Sequence, residues 1–102
     1  MKFKVQITEP VFTASDRSYL KLDYDTNEPI TDEEGMNTYQ SRVMTTSNGK
    51  VETLDVNVKG KEDPLAKLPP MTPITLVDPE INFGVFNGKK YYSISASAIR
   101  KA

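Results

Sequence analysis

Along this chain apolar residues recur mainly at every second position, the signature of half-buried strands. The clearest stretch runs from Ile74 to Ala96, where Thr75-Leu76-Val77 and the turn signal Asp78-Pro79 precede two alternating segments joined by Asn87-Gly88. Asn-Gly is the strongest short hairpin signal, because a type I′ turn needs positive φ at both central residues. A two-residue turn pairs Phe86 with Lys89, Val85 with Lys90, Gly84 with Tyr91, Phe83 with Tyr92 and Ile81 with Ile94. Period-2 geometry then gathers Ile81, Phe83, Tyr92 and Ile94 on one face, with Val85 and Lys90 at its end, and this face reads as core. Asn82, Phe86, Lys89, Tyr91 and Ser93 fall on the other.

The same pattern predicts a half-buried strand over Lys2–Thr8, with Phe3, Val5 and Ile7 inward, stopped by Pro10. Val11–Ser18 reads as a loop or irregular edge. A second strand is predicted over Tyr19–Tyr24, with Leu20, Leu22 and Tyr24 on one face and Tyr19, Lys21 and Asp23 on the other; Asp25–Gly35 reads as a loop. Asn37–Thr46 and Val51–Val58 form a hairpin around Asn48-Gly49, with Leu54, Val56 and Val58 inward. Asp63 suits an N-cap and Pro64 an N1 position, so one or two helical turns are predicted before Pro69-Pro70. Six or seven strands with one short helix make an all-β domain spanning residues 1–102. A small antiparallel barrel of oligonucleotide/oligosaccharide-binding (OB) type is the leading candidate, since its helix precedes the closing strands. A β-sandwich is the main alternative.

Composition narrows the chemistry. The chain has 102 residues, no cysteine and no histidine. That excludes disulfides and thiolate sites and removes the commonest general base and transition-metal ligand. The serines have no evident base, no glycine-rich phosphate loop occurs, and the chain is not expected to be an enzyme or to need a cofactor. With neither a signal-like h-region nor a run near the ~20 apolar residues of a membrane span, a soluble cytoplasmic protein is expected. The formal net charge of −1 conceals segregation: Asp23, Asp25, Glu28, Asp32, Glu33 and Glu34 share one stretch without a basic residue. The rest of the chain is therefore basic, which favours a polyanion locally. Asp23, Asp25, Asn27, Ile30 and Glu34 match positions of a calcium loop, but Glu28 occupies the position that requires glycine and Pro29 follows it, so a solvated loop without metal is expected.

In its second half the chain carries Ser41-Arg42-Val43, Leu54-Asp55-Val56-Asn57-Val58 and Ile74-Thr75-Leu76-Val77-Asp78-Pro79-Glu80-Ile81, followed by an aromatic-rich hairpin and a terminal Ser/Ala/Ile run. In these places it resembles a family of small proteins of Gram-positive conjugative elements. That family includes a helicase processivity factor that acts with the element's relaxase and a host helicase. Its members are similar to OB-fold proteins that bind single-stranded DNA, and small phage single-stranded-DNA-binding proteins share the architecture. The acidic loop, and the small residues Ser95–Ala98 in place of an acidic one, depart from the family pattern. The resemblance implies single-stranded DNA as partner, together with a replication or transfer helicase, and is compatible with a homodimer.

The candidate nucleic-acid surface comprises Phe86, Lys89, Lys90 and Tyr91, joined by Tyr39, Arg42, Tyr19 and Lys21. Single-stranded DNA requires rings on which bases stack, worth about 1–3 kcal/mol per base, and cations that track the phosphates. The competing reading makes Phe86 and Tyr91 a second apolar cluster or a dimer contact, with Lys89 and Lys90 a solubilising turn. Gly84, mid-strand and opposite Tyr91, reads as a bulge, a bend, or a place where a ring lies over the backbone.

Overall fold

The computed structural model describes residues 2–23, 25–47 and 49–102, with the side chains of Ser47 and Phe86 left aside. The described strands are β1 (Lys2–Lys4), β2 (Val11–Thr13), β3 (Tyr19–Leu20), β4 (Asn37–Ser47), β5 (Lys50–Gly60), β6 (Pro73–Val77), β7 (Glu80–Phe86), β8 (Lys89–Ala96) and β9 (Ala98–Lys101). They form one strongly curled sheet, a half-barrel, in the order β1-β7-β8-β5-β4-β2-β6-β9, with β3 added to β4. Among the described residues all strand pairings are antiparallel except β5 with β8, where Val56, Asn57 and Val58 run alongside Ile94, Ser95 and Ala96.

Both Asn-Gly signals lie at hairpins. The β7–β8 register matches the sequence expectation pair for pair, from Phe86↔Lys89 to Ile81↔Ile94. Asn87 and Gly88 have φ of 52° and 76°, as a type I′ turn requires. In β4–β5, Ser47 pairs with Lys50 and Gly49 has φ 77°; Asn48 lies outside the described residues.

The core is small. Val11, Val43, Val56, Val58, Ile74 and Ala96 are buried together on the inner, concave face, with Leu54, Leu68, Leu76, Ile94 and Ile99 packed against them. The inward assignment of Leu54, Val56 and Val58 agrees with this, whereas Phe83 and Tyr92, expected in the core, are 49% and 62% exposed. Their parity is inward, but the β7–β8 hairpin outruns its neighbours. Among the described residues, β1 pairs with Glu80–Asn82 on one side and β5 with Ile94–Ala96 on the other. Beyond those pairs the hairpin continues as an arm along which Phe83, Val85 and Tyr92 of the inner face stay largely exposed.

Three further expectations are corrected. The first strand covers Lys2–Lys4 instead of Lys2–Thr8, and Phe3 and Ile7 are exposed. After the backbone bond from Val5 N to the Pro79 carbonyl, the chain leaves the β7 edge and crosses to β2. The segment Val11–Ser18 is not merely a loop, since Val11–Thr13 forms β2, hydrogen-bonded between β4 and β6. The strand at Tyr19–Tyr24 is reduced to Tyr19–Leu20, with Leu20 and Leu22 exposed; Tyr24 lies outside the described residues.

The helix after Asp63 is absent, and Asp63–Leu68 forms consecutive turns. Asp63 Oδ1 accepts from the Leu65 amide at 2.9 Å, and bonds from Ala66 N to Asp63 O and from Leu68 N to Leu65 O follow at i→i+3 spacing. A helical nucleus fixes about six dihedrals for its first bond, and Pro69-Pro70 arrives before further bonds repay that cost. The turns are instead held by tertiary contacts. Leu65 is fully buried, and Thr13 Oγ1 donates to the Pro69 carbonyl at 2.6 Å while accepting from Thr72 N at 3.0 Å.

Candidate nucleic-acid interface

Strand parity sorts the candidate residues between two faces. Tyr91 pairs with Gly84, and Lys89 with Phe86, on the outer face. The strand alternation puts Arg42 on the same outer face of β4, opposite Asp55. Tyr19 pairs with Gln40, one alternation from Arg42, and Lys21 continues alongside through its amide bond to the Thr38 carbonyl at 2.9 Å. The outer face therefore carries Tyr91 and Lys89 on β8, Arg42 on β4, and Tyr19 and Lys21 on β3 and its extension. One hydrogen-bonded surface, β8-β5-β4-β3, connects them.

Two of the candidates do not join this set. Tyr39 pairs with buried Val58 and shares the inner parity of Ser41 and Val43; its ring is half-buried. Lys90 pairs with Val85 on the inner face of the arm. The Phe86 backbone belongs to β7 on outer parity, and its side chain lies outside the described residues.

The Tyr91 ring lies over Gly84. A Cβ built on Gly84 would come 2.5 Å from the Tyr91 Cζ and hydroxyl oxygen. The glycine thus makes room for the ring across the strand pair, where it stays half-exposed and open to stacking. Among the described side chains, Tyr19 is the other exposed outer-face aromatic, at 56%.

Arg42 is engaged already. Its Nε donates to Asp55 Oδ1 at 3.0 Å, and this hydrogen bond, then the Asp55 charge, holds the guanidinium pKa above its ordinary value. The Asp55–Arg42 ion pair was not anticipated from sequence, although strand pairing at equal distances from the Asn48-Gly49 turn would have revealed it. The acidic loop uses its carboxylates as local caps: Asp23 Oδ1 accepts from the Asp25 and Thr26 amides, and Asp32 Oδ1 from those of Glu34 and Met36.

No family model, curated protein or solved structure matches the chain. Among the described residues, no helix is long and apolar enough to cross a membrane.

Proposed function

We propose that this protein is an OB-like, non-catalytic module that binds single-stranded DNA across its outer face, stacking bases on Tyr91 and Tyr19 and neutralising phosphates with Lys89, Lys21 and Arg42. The observation that carries the reading is the shared outer parity of these five residues on one continuous sheet. The connectivity supports it. Taken as one interrupted first strand, β1 and β2 pair with β7 and β4 respectively, while β4, β5, β7 and β8 supply the second to fifth strands. OB folds bind oligonucleotides on the face of strands two and three and on the loops joining one to two and four to five. In this correspondence Tyr19 and Lys21 belong to the first of those loops, Arg42 to strand two, and Lys89 and Tyr91 to the second loop and its flank. The setting in replication or transfer of a phage or mobile element, alongside a helicase, follows from the sequence resemblance alone, and the cytoplasmic location from the lack of a signal-like or membrane-spanning apolar run in the sequence.

Titration of labelled oligo-dT at rising salt tests this reading. Binding should weaken with a log–log slope of about −0.7 per phosphate contact. The Tyr19→Ala/Tyr91→Ala double variant should lose about 2–6 kcal/mol if each ring stacks one base. Asp55→Ala should release Arg42, tightening binding and steepening the salt slope by about 0.7. No binding at low salt would refute the proposal. A protein-interaction module is the rival reading, favoured by the exposed arm residues, and it predicts no salt-dependent oligonucleotide affinity.

A further inference from the structure

The inner face poses a separate question. Phe3, Phe83 and Tyr92 form an aromatic row on it, with ring centroids 5.9 Å apart for Phe3–Phe83 and 6.5 Å for Phe83–Tyr92. Val85, further out along the arm, is 67% exposed. Apolar side chains of this size on one side of a two-stranded ribbon are normally covered. At the base of the arm the same face opens into an apolar groove of ≈ 350 Å³, lined by Val5, Val11, Leu54, Leu76, Ile81 and Ile94. Glu9 and Glu52 also line this groove, and Lys90 shares the inner face of the arm with Val85. Among the described residues, none of these three charges has an ion-pair partner within the chain.

We propose that the groove receives the β7–β8 arm of a second copy of this chain, in a reciprocal two-fold exchange. Phe83, Val85 and Tyr92 of each arm cover the apolar floor of the partner, and Lys90 meets Glu52 or Glu9 at its rim. A chain's own arm cannot fill its own groove. Ile81 and Ile94 are part of the groove floor, and Phe83 and Tyr92 lie one alternation further along the same paired strands, so folding back would break the ladder. A second copy supplies the arm without that cost, and because each copy has both elements the contact is self-complementary.

The surface area points the same way. A folded monomer of 11.4 kDa is expected to expose about 5,800 Å². This chain exposes 7593 Å², an excess of about 1,800 Å² over that scaling. Covering half of the excess on each copy reaches the about 800 Å² per partner of a standard stable interface.

Sedimentation equilibrium from about 1 μM to about 1 mM, a range covering moderate to weak affinities, reads the result directly. The wild type should reach twice the 11.4 kDa chain mass. Lys90→Glu, a substitution on the exposed arm, should shift the protein to monomer with an unchanged far-ultraviolet spectrum. Adding Glu52→Lys, or failing that Glu9→Lys, should restore the dimer. Tyr92→Ser should also give monomer. A wild type that stays monomeric across the range would overturn the proposal and leave the face to a partner of other chemistry. A dimer unaffected by both Lys90→Glu and Tyr92→Ser would overturn it as well. The proposal concerns the inner face and is independent of oligonucleotide binding on the outer one.

Discussion

At the scale of single residues, position in the ladder decides what each side chain does. Gly84 has an ordinary negative φ, so its value lies in the missing Cβ, which leaves the space that Tyr91 occupies. Gly84→Ala would force the ring off the backbone. Because the crowded atoms are the far end of a half-exposed side chain, the ring can swing away, and stability should change by less than about 1 kcal/mol. Affinity for oligo-dT should nevertheless fall toward that of Tyr91→Ala, since stacking needs the ring in place. A filter-binding comparison of the two variants checks this; full affinity in Gly84→Ala would mean that the ring over the glycine is not the stacking surface.

Asp63 is the residue on which the turn segment hangs. Burial alone would push its carboxyl pKa up, yet hydrogen bonds from Ser18 and Leu65 outweigh burial and hold it below the ordinary 3.8. A depressed folded-state pKa stabilises the protein above the unfolded value, and that contribution is lost as pH falls through the folded one. Asp63→Ala should therefore cost about 1–2 kcal/mol at neutral pH. In thermal melts the gap between variant and wild type should close as the pH drops below 3.8. A gap that persists in acid would assign the loss to packing instead.

At the scale of elements, hairpins with a turn signature were legible and elements held by distant partners were not. Asn87-Gly88 defines the β7–β8 register in full, because the signal and its consequence are local. Nothing local marks β2. Only Val11 and Thr13 alternate inward within it, and Thr13 is polar, buried because Pro69 and Thr72 bond it across more than fifty residues. The expected helix has the correct cap and the correct proline but too few residues between Asp63 and Pro69 to grow. Alternation assigned Phe83 and Tyr92 to the right face, yet it carries no information about how far neighbouring strands extend, and that length decides whether the face is covered. The candidate residues Tyr91, Lys89, Tyr19, Lys21 and Arg42 could all be named from sequence, but their common face, and the separation of Tyr39 and Lys90 from it, required the sheet order.

At the scale of the whole molecule, the Cα radius of gyration of 14.0 Å exceeds the about 13 Å expected of a compact chain of this length. The excess fits an open half-barrel with a projecting arm, and it places two distinct surfaces back to back. The outer face combines rings and cations, while the inner face offers apolar side chains that a second copy would bury. Occupying one face leaves the other accessible.

The parallel pairing of β5 alongside β8 also governs how the molecule is reached from its unfolded chain. Each long hairpin can close around its own turn on a microsecond scale, roughly 1–10 μs for an isolated hairpin. Joining them requires residues 56–58 to meet 94–96, with the turns at Asp63–Leu68 and all of β6 between. Such a distant closure costs loop entropy before any contact repays it. Refolding in stopped flow should therefore take milliseconds to seconds. Val56→Ala, at the junction, should slow folding, whereas Val51→Ala near the free end of β5 should leave the rate unchanged.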